Sequence, residues 1–469
     1  MTRAKHFHFV YSLKLLQKGL IFCLIPLARA LLNFDLASLY TALQQELALV
    51  LFLALASWLV WQRGGWQLTE QGLELRSGVL VRRIRTLTPG QIAVVELNRT
   101  VPLRLFGATR VTVYLAKGSS LPKASFYLHK DEAEQLAEQL MPATGAQSFF
   151  RPAGAQKLGL VMLSANLATT AALAWITVQQ TRITVGEVLP GDWQAWSDAT
   201  LHNLSQIERL VELVLPTGIA WLFTALLVLS CLSFVVSCLR TARYSVARRG
   251  GVLLSRGGLL TLSQRRIRAS AVTVCDVRTT LAARLLRRYP VFLAAGSYNG
   301  GDIPILVYRH GQEKLLEQLM PEFRIPRPGD RSTDTRGRSI PAFLAFPGSL
   351  LLAAWVLFCV SDWQLPQLSP FLLVLVLVLL VLVLVNAQAY RIEDAWRGKS
   401  GVLTVRYARG FTLHSVCVFT PDVSFGTYQT PFSEARGRCT LRLRMPFHRL
   451  VRVRSIQMAR VRSLAAPLF

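Results

Sequence analysis

Acidic residues are scarce in this 469-residue chain, where 26 Asp+Glu stand against 53 Lys+Arg and leave a formal net charge of +27. In a soluble protein that imbalance points to nucleic acid. Hydrophobic residues nevertheless make up 52% of the chain, and mean hydropathy is +0.37. The apolar residues lie in stretches that the charges avoid. A membrane protein with polar domains explains both facts, and no nucleic-acid partner is expected.

Cysteine is equally sparse. The seven are Cys23, Cys231, Cys238, Cys275, Cys359, Cys417 and Cys439. No two form a C-x-x-C pair, which excludes a zinc ribbon or a thioredoxin-type centre. Four lie in apolar runs, where cysteine behaves as a small hydrophobe. The seven histidines are scattered. His6 and His8 alone offer too few ligands for a metal site. The chain has no H-E-x-x-H, G-x-S-x-G, Walker or G-x-G-x-x-G motif. The sequence therefore predicts no catalytic residue, no metal, no cofactor and no enzymatic activity.

Long hydrophobic runs, in contrast, are plentiful. A helix needs ~20 apolar residues to cross a bilayer, because its backbone must satisfy itself within the segment. Residues 158–178, 213–239, 342–360 and 371–385 qualify, the last with its uncharged flanks. Two shorter runs, 20–34 and 47–61, form an N-terminal pair in which Arg29 is placed to snorkel to the interface. Residues 20–27 followed by Ala28-Arg29-Ala30 also have the form of a signal sequence and cleavage site, but the region before them is long. About six spans in three hairpins result. The candidate outer loops, 33–46, 179–212 and 361–370, hold only Arg182 and Arg209 as basic residues. The positive-inside rule then places both termini and all three polar segments in the cytoplasm.

The polar segments repeat. The first ends in Glu138-Gln139-Leu140-Met141-Pro142 and the second in Glu317-Gln318-Leu319-Met320-Pro321. Trp66 matches Tyr244, Gly78-Val79-Leu80 matches Gly258-Leu259-Leu260, and Arg104-Leu105-Phe106 matches Arg284-Leu285-Leu286. Val94, Glu96 and Thr100 match Val274, Asp276 and Thr280. A weaker third copy carries Tyr390, Gly401-Val402-Leu403 as the same G-[VL]-L corner, and Thr440–Leu443 after Gly437, with no closing helix. Short β-rich runs at 78–84, 92–97 and 111–115 precede an amphipathic helix at 131–141. Ala133, Leu136, Ala137 and Leu140 would face inward on that helix.

An aromatic residue after a membrane hairpin, then G-[VL]-L, a basic stretch, an Ile/Val-rich strand and R-L-[FL]-[GR] resembles the bacterial pleckstrin-homology (PH) family of YdbS/YdbT type. The threefold unit is similar to its YdbT branch. The resemblance implies a mixed membrane protein in which each hairpin precedes a small β-rich PH-like domain, a bent sandwich with a C-terminal helix. The expected boundaries are hairpins at 1–62, 151–239 and 326–388 (the last with a linker) and domains at 63–150, 240–325 and 389–469, the third degenerate. Arg287 stands where the first copy has Gly107. The resemblance carries no catalytic motif. It implies a bacterial inner-membrane location and a shorter PH-domain membrane protein as a partner.

Two R-R-I-R clusters, Arg82, Arg83 and Arg85 and then Arg265, Arg266 and Arg268, are the candidate lipid-contact residues. By an offset of 180 they are displaced by three residues. Near an acidic leaflet each Lys or Arg contributes ~1 kcal/mol; as ordinary strand residues they would only mark the cytoplasmic side. A membrane scaffold or protein-interaction module, a binder of anionic headgroups and a transporter component are the three functions to weigh. The uncharged later spans speak against the transporter.

Overall fold

The computed structural model describes residues 5–13, 16, 36–78, 81–116, 123–145, 147–152, 154–164, 206, 209, 217–300, 303–309, 311, 313–323, 338–364, 368–397, 402–419, 423–445 and 449–465. The chain divides into two compact units.

The first unit comprises Met1–Arg151, Arg243–Val272 and Ala294–Asn299. Strand β1 (Lys5–His6) and helix α1 (Leu36–Arg63) lead into β2 (Gly65–Thr69), β3 (Gly72–Ser77) and β4 (Arg83–Leu87), which form a four-stranded sheet in the order β1-β2-β3-β4. Residues 78–84 thus do not form one strand. Gly78 adopts φ +106° and turns the chain between β3 and β4, a conformation open mainly to glycine. Strands β5 (Ile92–Arg99), β6 (Ala108–Leu115) and β7 (Lys123–His129) start a second sheet, with the short helix α2 (Val101–Leu105) between β5 and β6. Helix α3 (Lys130–Leu140) buries Ala133, Leu136, Ala137 and Leu140. Trp66, Leu73, Leu75 and Leu87 from one sheet, Val95, Val111, Val113 and Phe126 from the other, and that helix face share one core.

The second sheet continues with strands from the second repeat. Beyond β5 lie β11 (Leu262–Arg268), β10 (Val252–Gly257), β9 (Ser245–Arg249) and β8 (Gln147–Phe150), giving the order β7-β6-β5-β11-β10-β9-β8. The repeats therefore join edge to edge. Strand 4 of the second repeat (β11) pairs antiparallel with strand 5 of the first (β5), with Arg265 opposite Glu96 and Ile267 opposite Val94.

The second unit comprises Pro152–Ala242, Thr273–Leu293 and Gly300–Phe469. Its sheet runs β14-β13-β12-β17-β16-β15. The second repeat supplies β12 (Val272–Thr279), β13 (Arg288–Ala295) and β14 (Leu306–Arg309), and the third supplies β15 (Asp394–Arg397), β16 (Val402–Arg409) and β17 (Thr412–Phe419). Here β17, which corresponds to strand 4 of the other repeats because β15 and β16 correspond to their strands 2 and 3, pairs with strand 5 of the second (β12), Cys417 opposite Cys275. Strands β18 (Ser424–Tyr428), β19 (Arg438–Met445) and β20 (Arg449–Gln457) form a separate sheet. The strands of the second repeat, expected as one domain at 240–325, are thus shared between the two units.

Two features of the third repeat differ from the sequence reading. Val402 and Leu403 open β16, the counterpart of β3 and β10, so the G-[VL]-L there matches Gly251-Val252-Leu253 at the preceding turn rather than the Gly78 corner. The basic tail does not replace the closing helix. Residues 449–457 are a strand whose Val451 and Val453 are buried, and a helix at Met458–Ala465 follows, burying Val461 and Leu464. The tail lacks E-Q-L-M-P, but its apolar spacing still suits a buried helix face.

The second unit also holds helices Gly154–Ser164, Thr217–Thr241, Leu281–Leu285, Glu313–Leu319, Pro341–Gln364, Ser369–Ile392 and Pro431–Glu434. Two helical stretches among the described residues, not six, are long and apolar enough to cross a bilayer: Pro341–Ser361 and Leu372–Ile392. Each is only 17% buried, and they expose Phe346, Leu352, Trp355 and Leu377, Leu384 respectively. Leu49–Arg63 and Leu227–Thr241 are shorter apolar stretches within the helices Leu36–Arg63 and Thr217–Thr241. The expected span at 20–34, most of 158–178 and the start of 213–239 fall outside the described residues, as does the candidate cleavage site.

Candidate interaction surface

The structure separates the two arginine clusters. Arg82, Arg83 and Arg85 are all exposed. None makes an ion pair among the described residues, and Val81 and Ile84 beside them are 69% and 56% exposed. Strand β4 is the outermost strand of its sheet, and no strand among the described residues pairs with its outer backbone edge. The result, among the described residues, is a basic strip with apolar side chains and open hydrogen-bonding groups.

Arg265, Arg266 and Arg268 instead make contacts at the first strand junction. Arg265 donates to Glu96 at 2.8 Å and lies over the Tyr298 ring, 5.8 Å from its centroid. Glu96 also accepts from the Tyr114 hydroxyl at 3.0 Å. Burial, then the adjacent Glu96 carboxylate, pushes the Tyr114 phenol up to about 12. Arg266 is buried and donates to Glu138 and, at 3.0 Å, to the Met141 carbonyl. The hydrogen bond from Arg266 holds the Glu138 carboxyl below its ordinary range. Arg268 donates to the Pro89 carbonyl at 2.6 Å. A buried guanidinium needs such partners, because desolvating it unpaired costs several kcal/mol.

Register explains the separation. Arg85 lies opposite Leu75, and Arg265 lies opposite Ser255, 180 residues on in both strands. Arg85 is thus the structural counterpart of Arg265, and the matching R-R-I-R spelling is out of phase with the fold.

The second junction also pairs a carboxylate with a base, but in a shifted register: Val416 lies opposite Asp276, and His414 lies opposite Arg278. Asp276, at the position of Glu96, accepts from His414 at 3.0 Å and from Arg278 at 3.1 Å. Burial alone would raise its pKa. The hydrogen bond and charge of His414, joined by Arg278, outweigh burial and hold the carboxyl below its usual value. At both junctions strand 5 of one repeat carries the carboxylate and strand 4 of the next carries the base. Sequence matching aligns Glu96 with Asp276 but does not reveal Arg265 or His414 as their partners, since both of these come from the following repeat.

Residues 21–144 match the bacterial PH domain family. The matched stretch ends just past the closing helix Lys130–Leu140 and contains the whole first sandwich from β2 onward. Within the matched residues, β4 is an outer strand and Glu96 lies on the strand that the next repeat covers. No curated protein and no solved structure matches the chain.

A cleft of about 470 Å³ in the second unit is lined by Ser339, Tyr428, Thr430, Phe432, Arg436 and Ser455, among others. Its described lining offers hydroxyls, the Cys439 thiol and a guanidinium, with no carboxylate or imidazole among the described residues. No cluster of three His, Cys, Asp or Glu suited to a metal occurs among the described residues.

Proposed function

We propose that this protein is a multi-pass inner-membrane scaffold of the YdbT-like kind, in which three cytoplasmic PH-like repeats bind proteins and carry out no catalysis. One observation carries the reading: twice along the chain, strand 4 of one repeat completes the sheet of the repeat before it. Strand addition is a recognition mode in which backbone bonds give affinity and side chains give specificity. These repeats use it on one another, and among the described residues no strand covers β4. The two long, mostly unburied apolar helices support a membrane setting. Glu393, at the end of the second, accepts from Arg454 of β20 at 2.6 Å, which ties that helix to the third repeat. The reading is tested by cross-linking the full-length protein in native membranes with a lysine-reactive reagent. Discrete cross-links to other proteins are expected. Cross-links confined to the chain itself would contradict a scaffold.

A second reading is favoured by the exposed strip of Arg82, Arg83 and Arg85 with Val81 and Ile84. Basic side chains beside small apolar ones suit an anionic leaflet, where each charge adds ~1 kcal/mol. The partners on this reading are anionic lipid headgroups, and Arg265 and Arg266 take no part because protein surrounds them.

A further inference from the structure

The strand order leaves an asymmetry that the repeat itself defines. In each repeat strand 4 is the last of one run of paired strands and strand 5 begins the next. Strand 5 of the first repeat is covered by β11, and strand 5 of the second by β17. Two strands of this kind have no such neighbour among the described residues: β4, strand 4 of the first repeat, and β18, strand 5 of the third. Both are outer strands with mostly exposed side chains.

From this we infer that β4 is a docking edge for strand 5 of a PH-type repeat on a different polypeptide, one that carries a carboxylate opposite Arg85. The inference rests on the scaffold reading and names the surface and the partner chemistry. Arg85 occupies the place of Arg265, whose guanidinium meets Glu96 at the first junction. The second junction also puts a carboxylate, Asp276, on strand 5, but Val416 lies opposite it and its base, His414, sits two residues along β17, at the place that Arg83 holds on β4. A strand that completes β4 in the same way brings its own carboxylate to Arg85, and Arg83 lies two residues along the same face. Exposed edges with open backbone groups are templates for added strands.

A second copy of this chain does not supply that strand. Its free strand 5 is β18, and the position matching Glu96 is Gly426, which lies opposite Arg442 as Glu96 lies opposite Thr112. Arg442 stacks over Tyr428 beside it, 5.2 Å from the ring centroid, and Arg444 faces Ser424. Bringing β18 against β4 would turn Arg442 and Arg444, one strand behind on β19, toward the arginines of β4 with no carboxylate on β18 between them. Like charges placed together oppose such an interface. The edge therefore selects against self-assembly and for an acidic strand.

The test places a photoreactive amino acid at Thr86 of β4 in the full-length protein, expressed in its native membrane, and sequences the cross-linked peptides. The expected product is a cross-link to one strand of another PH-repeat protein, with a carboxylate in that strand. Arg85→Glu should lower its yield roughly tenfold, as for a lost charge pair at an interface. Arg85→Gln should lower it less, and replacing the partner's carboxylate with lysine should restore the Arg85→Glu yield. A protein whose Arg85→Glu form no longer folds is recognised by a lost thermal transition, and the Arg85→Gln result then decides. Adducts with phospholipid alone, cross-links to residues 424–428 of a second copy, or no adduct at all would each overturn the inference. A parallel probe at Tyr428 separates the two claims. Protein cross-links from Tyr428 with none from Thr86 would sink the β4 edge and leave the scaffold standing, whereas silence at both sites would remove both.

Discussion

Residue-scale energetics single out two positions. Gly107, Arg287 and Gly437 follow the short helix in the three repeats, and all have positive φ: +66°, +51° and +59°. Arginine in that region carries steric strain that glycine avoids. Arg287→Gly should therefore stabilise the protein by roughly 1 kcal/mol, read as a higher midpoint in thermal unfolding; an unchanged or lower midpoint would show that Arg287 is held by contacts worth more than the strain. The second position is Asp276, whose carboxyl is held below its ordinary value although it is buried. A depressed carboxylate adds stability above its unfolded pKa of ~3.9 and loses it as pH falls through the lower folded value. Asp276→Asn should flatten the acid side of the stability profile below about pH 4. Melts across that range in both proteins are the measurement, and parallel slopes would contradict the assignment.

At the scale of elements, the contact between β20 and the long apolar helix Ser369–Ile392 makes a sharper claim. Glu393 is buried and accepts both the guanidinium and the backbone N–H of Arg454, the latter at 3.0 Å, while Arg454 also reaches Asn386 at 2.9 Å. Removing one partner of such a pair leaves a buried charge unmatched, at a cost of about 3–5 kcal/mol. Arg454→Met should accordingly expose β20 to proteolysis, and a cleavage pattern identical to the unsubstituted protein would count against the tie. The other elements differ in how readily the sequence disclosed them. The closing helix at 130–140 was legible because Ala133, Leu136, Ala137 and Leu140 recur at helical spacing. The third repeat's closing helix was not, because it lacks E-Q-L-M-P and follows a strand dense in arginine. Gly401-Val402-Leu403 looked like the Gly78 corner because three residues cannot separate two successive turns. Only the pairing of β16 with its neighbours places them.

For the lipid reading the relevant element is β4. Replacing Arg82, Arg83 and Arg85 together with Gln removes three exposed charges, and at ~1 kcal/mol each that is up to about two decades in affinity for anionic lipid. Anionic phospholipid retained by the purified full-length protein, measured by mass spectrometry over a salt series, reports the change. Retention should also fall with rising salt in the unsubstituted protein, since screening shortens the reach of each charge. Equal retention by both proteins at low salt would remove the lipid role and leave the strand edge as the use of these arginines.

Across the whole molecule, the first two repeats were legible from anchors 178 to 180 residues apart and the third from a few weaker matches, but the way the repeats join was not. Antiparallel pairing between repeats leaves only alternation in the sequence, and alternation names no partner. Arg265 and Arg266 read as a surface cluster because nothing local to them shows that Glu96 and Glu138 approach from the preceding repeat. The central claim is this strand sharing, and a designed disulfide tests it most directly. Asn98 of β5 lies opposite Ser263 of β11, and residues directly opposed on antiparallel strands have Cβ atoms ~4.5–5.5 Å apart, close enough to bridge with a small backbone adjustment. Mild oxidation of the Asn98→Cys, Ser263→Cys protein in membranes should give one intramolecular cross-link joining the peptides that contain residues 98 and 263. A cysteine pair that stays reduced, or that links only between separate copies of the chain, would contradict the shared sheet.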